Sequence, residues 1–335
     1  MQLNEVRNWN VNLKIIIAFL SIGLLPSIFM GITQVFFKPT KEGTEVSLLN
    51  DKAASLAEKI TKNGSVDYVG LNLGVRKTIP EVSQNLLDEY FYFNVITSIV
   101  GFVLIGTLLA HFLLPKGIES LGYKNIKPIL FFGAFVMALN VPIIGADAIG
   151  LNEILGLNKL QEFLFSSNLL SDTTGGIKEL LVMFPNDNRG YFICWIGLAV
   201  VPALGEELIF RGVLQRLFIK KFGNVHNGIA LSAFIFAVFH PSITNFFYYF
   251  ILGVILGYIY VWGRSIVFPM LIHLLNNSSV LLSYFSVGAM GESDVDTAMQ
   301  TGNAFDLMGY ISVALILFIF YMNFKRSEIE KEMLE

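Results

Sequence analysis

Glu206, Glu207 and Arg211 stand in the stretch Gly205-Glu206-Glu207-Leu208-Ile209-Phe210-Arg211-Gly212, inside a run that is otherwise fit for lipid. A charged side chain at membrane depth costs roughly 2.5–3.5 kcal/mol on insertion scales, so three together point to function. Glu207 and Arg211 are four residues apart and share one helix face, the spacing of an ion pair. Glu206 is turned about 100° away from Glu207 and stacks with Phe210 instead. The spacing therefore predicts one neutralised carboxylate and one left free to act as a general base. A buried ion-pair network that only holds helices together is the structural alternative, and it leaves Glu206 unexplained.

Two further pairs repeat the four-residue spacing. Phe236 and His240 share a face of one apolar run, and His273 and Asn277 share a face of another. His240 can hold a water together with Glu206, although a histidine at a helix end is commonly structural. An imidazole and an amide pointing the same way can donate hydrogen bonds to a developing oxyanion. A polar helix–helix contact is the alternative for His273 and Asn277. The other two histidines, His111 and His226, lie near helix ends and read as structural. Asn276, Ser278 and Ser279 are polar neighbours without an evident role. Cys194 is the only cysteine, which excludes an intrachain disulfide and a cysteine metal cluster.

The elements that must carry these residues are membrane helices. The chain has 335 residues, 54% of them hydrophobic and 15% charged, against about 25% charged in soluble domains. Its net charge of −3 and the lack of a basic stripe give no reason to expect a nucleic-acid partner. Eight apolar runs are evident, at about 13–37, 90–114, 129–149, 191–219, 227–240, 245–262, 266–287 and 307–324. The first is too long for a signal-peptide core and reads as a retained helix. Pro241 should stop the fifth, and Gly253 and Gly257 are spaced for close packing of the sixth. The loops at 38–89 and 288–306 are polar. Residues 155–164 suggest an amphipathic helix on the membrane surface, or equally a segment packed under a loop. Neither an internal repeat nor a low-complexity tract is present.

Lysine and arginine place both termini on the cytoplasmic side of what is expected to be the plasma membrane. Lys116, Lys124, Lys127, Arg216, Lys220, Lys221, Arg264, Lys325 and Arg326 all fall on that side, whereas 288–306 has neither residue type. Counting helix rise from that face puts Glu206 roughly 15 Å deep, His240 roughly 20 Å, His273 roughly 12 Å and Asn277 roughly 18 Å. Three helices thus bring polar groups to one layer of the bilayer.

The motifs Glu-Glu-x-x-x-Arg (Glu206, Glu207, Arg211), Phe-x-x-x-His (Phe236, His240) and His-x-x-x-Asn (His273, Asn277), in this order, resemble the CPBP family. Its members include type II CAAX prenyl endopeptidases and bacteriocin-processing or self-immunity proteins. The resemblance covers about 191–287. It divides the chain into an amino-terminal membrane region (1–190), a protease-like core (191–287) and a carboxy-terminal part (288–335) with an acidic loop, the last helix and a tail. It implies an all-α polytopic fold of about eight transmembrane helices with a conical core, and an intramembrane endopeptidase activity. By that pattern Glu206 activates water with help from His240. His273 and Asn277 form the oxyanion hole, and Glu207, Arg211 and Phe236 support the site. No cofactor is required in that reading. A zinc enzyme using Glu206, His240 and His273 is the other possibility the donor set offers. The expected partner is a membrane-associated peptide or lipoprotein in the bilayer. A non-catalytic immunity or scaffold protein and a proton-coupled transporter are the competing classes. Against the transporter stand the missing inverted repeat and the confinement of polar groups to one half of the membrane.

Overall fold

The structure, a computed structural model, describes residues 3–36, 95–124, 126–157, 159, 188–240, 245–287 and 307–325. Helices account for almost all of them, and the described residues contain no strand. A short α1 (Leu3–Arg7) leads into α2 (Val11–Phe36). Helix α3 (Val95–Leu113) is followed by a 3-10 turn, Gly117–Leu121, and by α4 (Pro128–Ile154). The long α5 spans 188–222. Then come α6 (Val225–Phe239), α7 (Phe246–Gly263), α8 (Val267–Val287) and α9 (Leu307–Lys325).

Each of the eight apolar runs falls on one of α2 to α9, and the chain is an all-α polytopic membrane protein. Three stretches are long and apolar enough to cross a bilayer by length and composition: Val95–Leu113, Tyr191–Phe222 and Phe246–Gly263. Shorter apolar stretches occupy α2, α4, α6, α8 and α9. Helix α4 continues five residues beyond the expected end at 149, and α5 overshoots its expected range at both ends. The segments 38–89, most of 155–164 and 288–306 lie outside the described residues.

Local chemistry explains the turns around the site. Gly223 adopts φ 62° and ends α5, with its N–H on the Ile219 carbonyl at 2.9 Å. That left-handed position is the usual place for glycine after a helix. Asn224 then caps α6, its side-chain oxygen accepting from the Asn227 N–H at 3.0 Å. At the other end of α6, His240 is extended, φ −88° and ψ 121°. A residue before proline is driven out of the helical region, so Pro241 stops α6 where the sequence indicates and swings His240 off the helix.

Helix α5 is not uniform. It is π-helical at Ile196–Val200 and at Leu208–Gln215, on either side of the α-helical Val201–Glu207. Such wide turns, closed by i→i+5 bonds, are rare and recur at functional sites. Within the second π-helical stretch the buried Ser232 of α6 donates to the Phe210 carbonyl at 3.0 Å.

Two large hydrophobic cores, beside two smaller clusters, hold the described residues together. The first joins α2, α3, α5 and α6 around Ile209, Val213, Leu214 and Phe236. The second joins α4, α7, α8 and α9 around Met137, Leu256, Phe268 and Phe320. Glycine lets the helices approach. A methyl group at Gly253 would stand 2.9 Å from the Ala233 Cβ, and one at Gly257 2.8 Å from Ile229, so both serve the close packing expected of them. Lys14 of α2 fastens the amino-terminal helices. Its buried ammonium donates to the Arg7 carbonyl at 2.7 Å and the Leu113 carbonyl at 2.9 Å, at the open end of α3.

Gly205 faces α3, where an added methyl would overlap the Phe102 side chain and come within 3.0 Å of its backbone. Gly205→Ala should therefore destabilise the protein by about 1–3 kcal/mol, read as a lower melting temperature in detergent. Gly23→Ala, with nothing within 4 Å of the added carbon, should not lower it.

Candidate active site

A carboxylate buried among hydrophobic helices has to be paired, and Glu207 is paired twice. Its Oε1 accepts from Arg211 Nη1 at 2.7 Å and from His273 Nδ1 at 2.9 Å. Glu207, Arg211 and His273 are 0%, 1% and 3% exposed, so this cluster is sealed from solvent. The Arg211–Glu207 half is the ion pair that the spacing predicts. The His273 half was not legible, because it joins α5 to α8 across 66 positions of sequence. The Arg211 guanidinium also lies 4.4 Å from the centre of the Phe236 ring, a cation–π contact in a desolvated place.

Glu206 lies apart from that pairing. Its Oε2 stands 3.8 Å from His240 Nε2, too long for a direct hydrogen bond. The two side chains are 15% and 22% exposed. The two acids thus differ: Glu207 is locked into the scaffold, and Glu206 keeps partial exposure. Glu206 Oε2 is itself buried and has no hydrogen-bond partner among the described residues.

The tautomers follow from the partners. His240 Nδ1 lies 2.8 Å from the Phe236 carbonyl, which can only accept. Nδ1 is therefore the N–H, and in the neutral ring Nε2 presents a lone pair toward Glu206. The imidazole is also held between two rings, with the Tyr249 centroid 3.9 Å away at 24° and the Phe236 centroid 4.5 Å away at 55°. His273 Nδ1 is likewise the donor to Glu207, so its Nε2 donates only when the ring carries two protons.

Asn277 is one turn further along α8. Its Nδ2 donates to the Leu198 carbonyl at 3.2 Å, and its Oδ1 accepts from Asn276 at 3.3 Å. An amide carries two N–H groups, and the Leu198 contact uses one of them. Next to it, Trp195 donates to Ser278 at 2.7 Å, which gives Ser278 a structural role. His226 bonds the Tyr258 hydroxyl at 2.6 Å at the exposed end of α6. His111 packs its ring edge on Phe112, while its carbonyl receives Arg7.

The structure thus brings Glu206 to His240, and Glu207 to Arg211 and His273. Sequence reasoning missed Tyr249, Tyr248 and the role of Asn276. The adjacent asparagines were a signal, but a tyrosine pair in an aromatic-rich helix was none. Among the described residues no three His, Cys, Asp or Glu side chains are grouped to hold a metal ion.

With three helices converging on these side chains, the comparison with known families gains its meaning. Residues 188–279 match the family model described as type II CAAX prenyl endopeptidase Rce1-like. The match is consistent with a CPBP-family intramembrane protease. It covers less than half of the chain, but it includes every residue of the site. No curated protein and no solved structure matches. The matched segment is carried by α5 to α8 in an integral membrane protein.

Removing one member of a buried ion pair leaves a charge uncompensated and costs about 3–5 kcal/mol. Arg211→Ala should therefore lower the melting temperature in detergent far more than Lys221→Ala, which alters a solvated charge at the end of α5.

Proposed function

We propose that the protein is a glutamate-dependent intramembrane endopeptidase. It hydrolyses a peptide bond in a membrane-associated, lipidated chain, with both of its own termini on the cytoplasmic side. The observation that carries this reading is the 3.8 Å separation of Glu206 Oε2 and His240 Nε2. Both atoms are hydrogen-bond acceptors when Glu206 is ionised and His240 neutral. A water about 2.8 Å from each would donate one hydrogen to either side, with an angle of about 85° between the two contacts. Its lone pair is then turned outward, toward a substrate carbonyl.

The reaction balances without further components. The water oxygen adds to the carbonyl carbon while Glu206 takes its proton. The carbonyl oxygen becomes an oxyanion and accepts from the second N–H of Asn277. His273 Nε2–H adds a donor in the doubly protonated ring. Collapse of the intermediate breaks the C–N bond, and the proton held by Glu206 passes to the leaving nitrogen. A carboxylic acid and an amine result, and the acid's proton passes to the amine to give a carboxylate and an ammonium. Glu207 and Arg211 do not touch the reacting atoms in this scheme. They hold His273 in one orientation. The Rce1-like match supports a CAAX-type substrate.

The test is cleavage of an internally quenched, farnesylated peptide ending in a CAAX sequence, with purified protein in liposomes. Wild type should cleave it, and Glu206→Gln should be slower by at least about 100-fold, since the loss of a positioned base costs 10²–10⁴. EDTA should leave the rate unchanged. Undiminished cleavage by Glu206→Gln would remove this mechanism, whereas a wild type that cleaves no peptide would favour a non-catalytic membrane binder that keeps the motif for structure.

A further inference from the structure

Asn276 lies beside a site residue and is 2% exposed. Its Nδ2 donates to the Tyr248 hydroxyl at 2.7 Å and to the Asn277 Oδ1 at 3.3 Å. Both of its N–H groups are thereby used. Its own oxygen is buried without a partner among the described residues, which carries a free-energy penalty. An apolar residue of similar size would avoid that penalty. Stability therefore does not account for Asn276.

Orientation does. A carboxamide turned by 180° exchanges its oxygen for its NH2 group. Asn277 is held at both edges by partners of fixed type: the Leu198 carbonyl can only accept, and the Asn276 NH2 can only donate. A reversed Asn277 would set oxygen against oxygen on one side and N–H against N–H on the other. Asn276 is held in turn by Tyr248 of α7. We infer that Asn276 and Tyr248 are positioning residues, a relay running from α7 to α8 that keeps the second Asn277 N–H toward the reacting carbonyl. The relay rests on the role assigned to Asn277 under Proposed function. Tyr249, the next residue, stacks on His240. One dipeptide of α7 thus steadies both the water-activating and the oxyanion-binding sides.

Two measurements test the relay. The first is kinetic, on the farnesylated CAAX peptide. Tyr248→Phe and Asn276→Ala should each lower kcat about 10-fold or more with KM unchanged, as loss of a transition-state contact does. Asn276→Ala combined with Asn277→Ala should be no slower than Asn277→Ala alone, because the two act as a unit. The second is spectroscopic and independent of turnover. In protein labelled with 15N at asparagine, the Asn277 side-chain NH2 signals are assigned by their loss in Asn277→Ala. They should move in Tyr248→Phe, in protein whose melting temperature is that of wild type.

Unmoved signals, or single and double variants whose effects simply add, would overturn the relay. If wild type cleaves, Glu206→Gln does not and Tyr248→Phe matches wild type, the relay fails and the protease reading stands. If wild type does not cleave the peptide, the protease reading fails for that substrate, and the NH2 signals alone decide the relay. Tyr248→Phe keeps the ring, so it decides the question should Asn276→Ala not fold.

Discussion

The Glu207 carboxylate has no water to turn to, and much of the molecule is arranged around that fact. In a hydrophobic interior an ionised acid survives only when it is paired and hydrogen-bonded. Arg211 supplies the charge from the same helix, and His273 supplies a second donor from α8. Phe236 covers the guanidinium from α6. Three helices are thereby held at a fixed rotation by one side chain. The neighbouring acid gains from this: Glu206 is carried on the same turn of α5, yet the cation is already committed elsewhere. In the proposed mechanism chemistry and scaffold fall to adjacent residues, and the 100° between them keeps the two apart.

The seam between the two cores is the other constraint. Ile209 and Phe236 belong to one core, and Ile272, just before His273, belongs to the other. Polar groups gathered at such a seam must be satisfied across it, which is how a buried network specifies a single arrangement of helices. The Trp195–Ser278 and Asn277–Leu198 contacts serve the same end, fixing α8 against the first π-helical stretch of α5. Close approach is possible because small residues stand at the crossings, as at Gly205 and Gly253.

How much of this was legible in the sequence depends on the range of each interaction. Neighbours within one helix were readable, because four-residue spacing is a property of the helix itself. Arg211 with Glu207 and Phe236 with His240 are of that kind. The stop at the end of α6 was readable for the same local reason, as Pro241 demonstrates. Partners across helices were not, since they depend on rotation and crossing angle, which no single stretch encodes. Glu207 with His273 and Asn276 with Tyr248 are of that kind. The depth count still brought Glu206, His240 and His273 to one layer, because rise per residue is constant. The π-helical turns had no compositional mark at all: Leu208–Gln215 looks like any amphipathic run.

Lys14 grips the main chain rather than side chains, reaching the carbonyls of Arg7 and Leu113. Every amino acid brings the same carbonyl oxygen, so the identity of the residues at positions 7 and 113 is immaterial to this latch. Mutational drift along the end of α3 leaves its acceptors intact, while the lysine itself has no substitute of equal reach and charge at that point. The first membrane helix is thus joined to its neighbour by a fastening whose entire sequence requirement is concentrated in one codon.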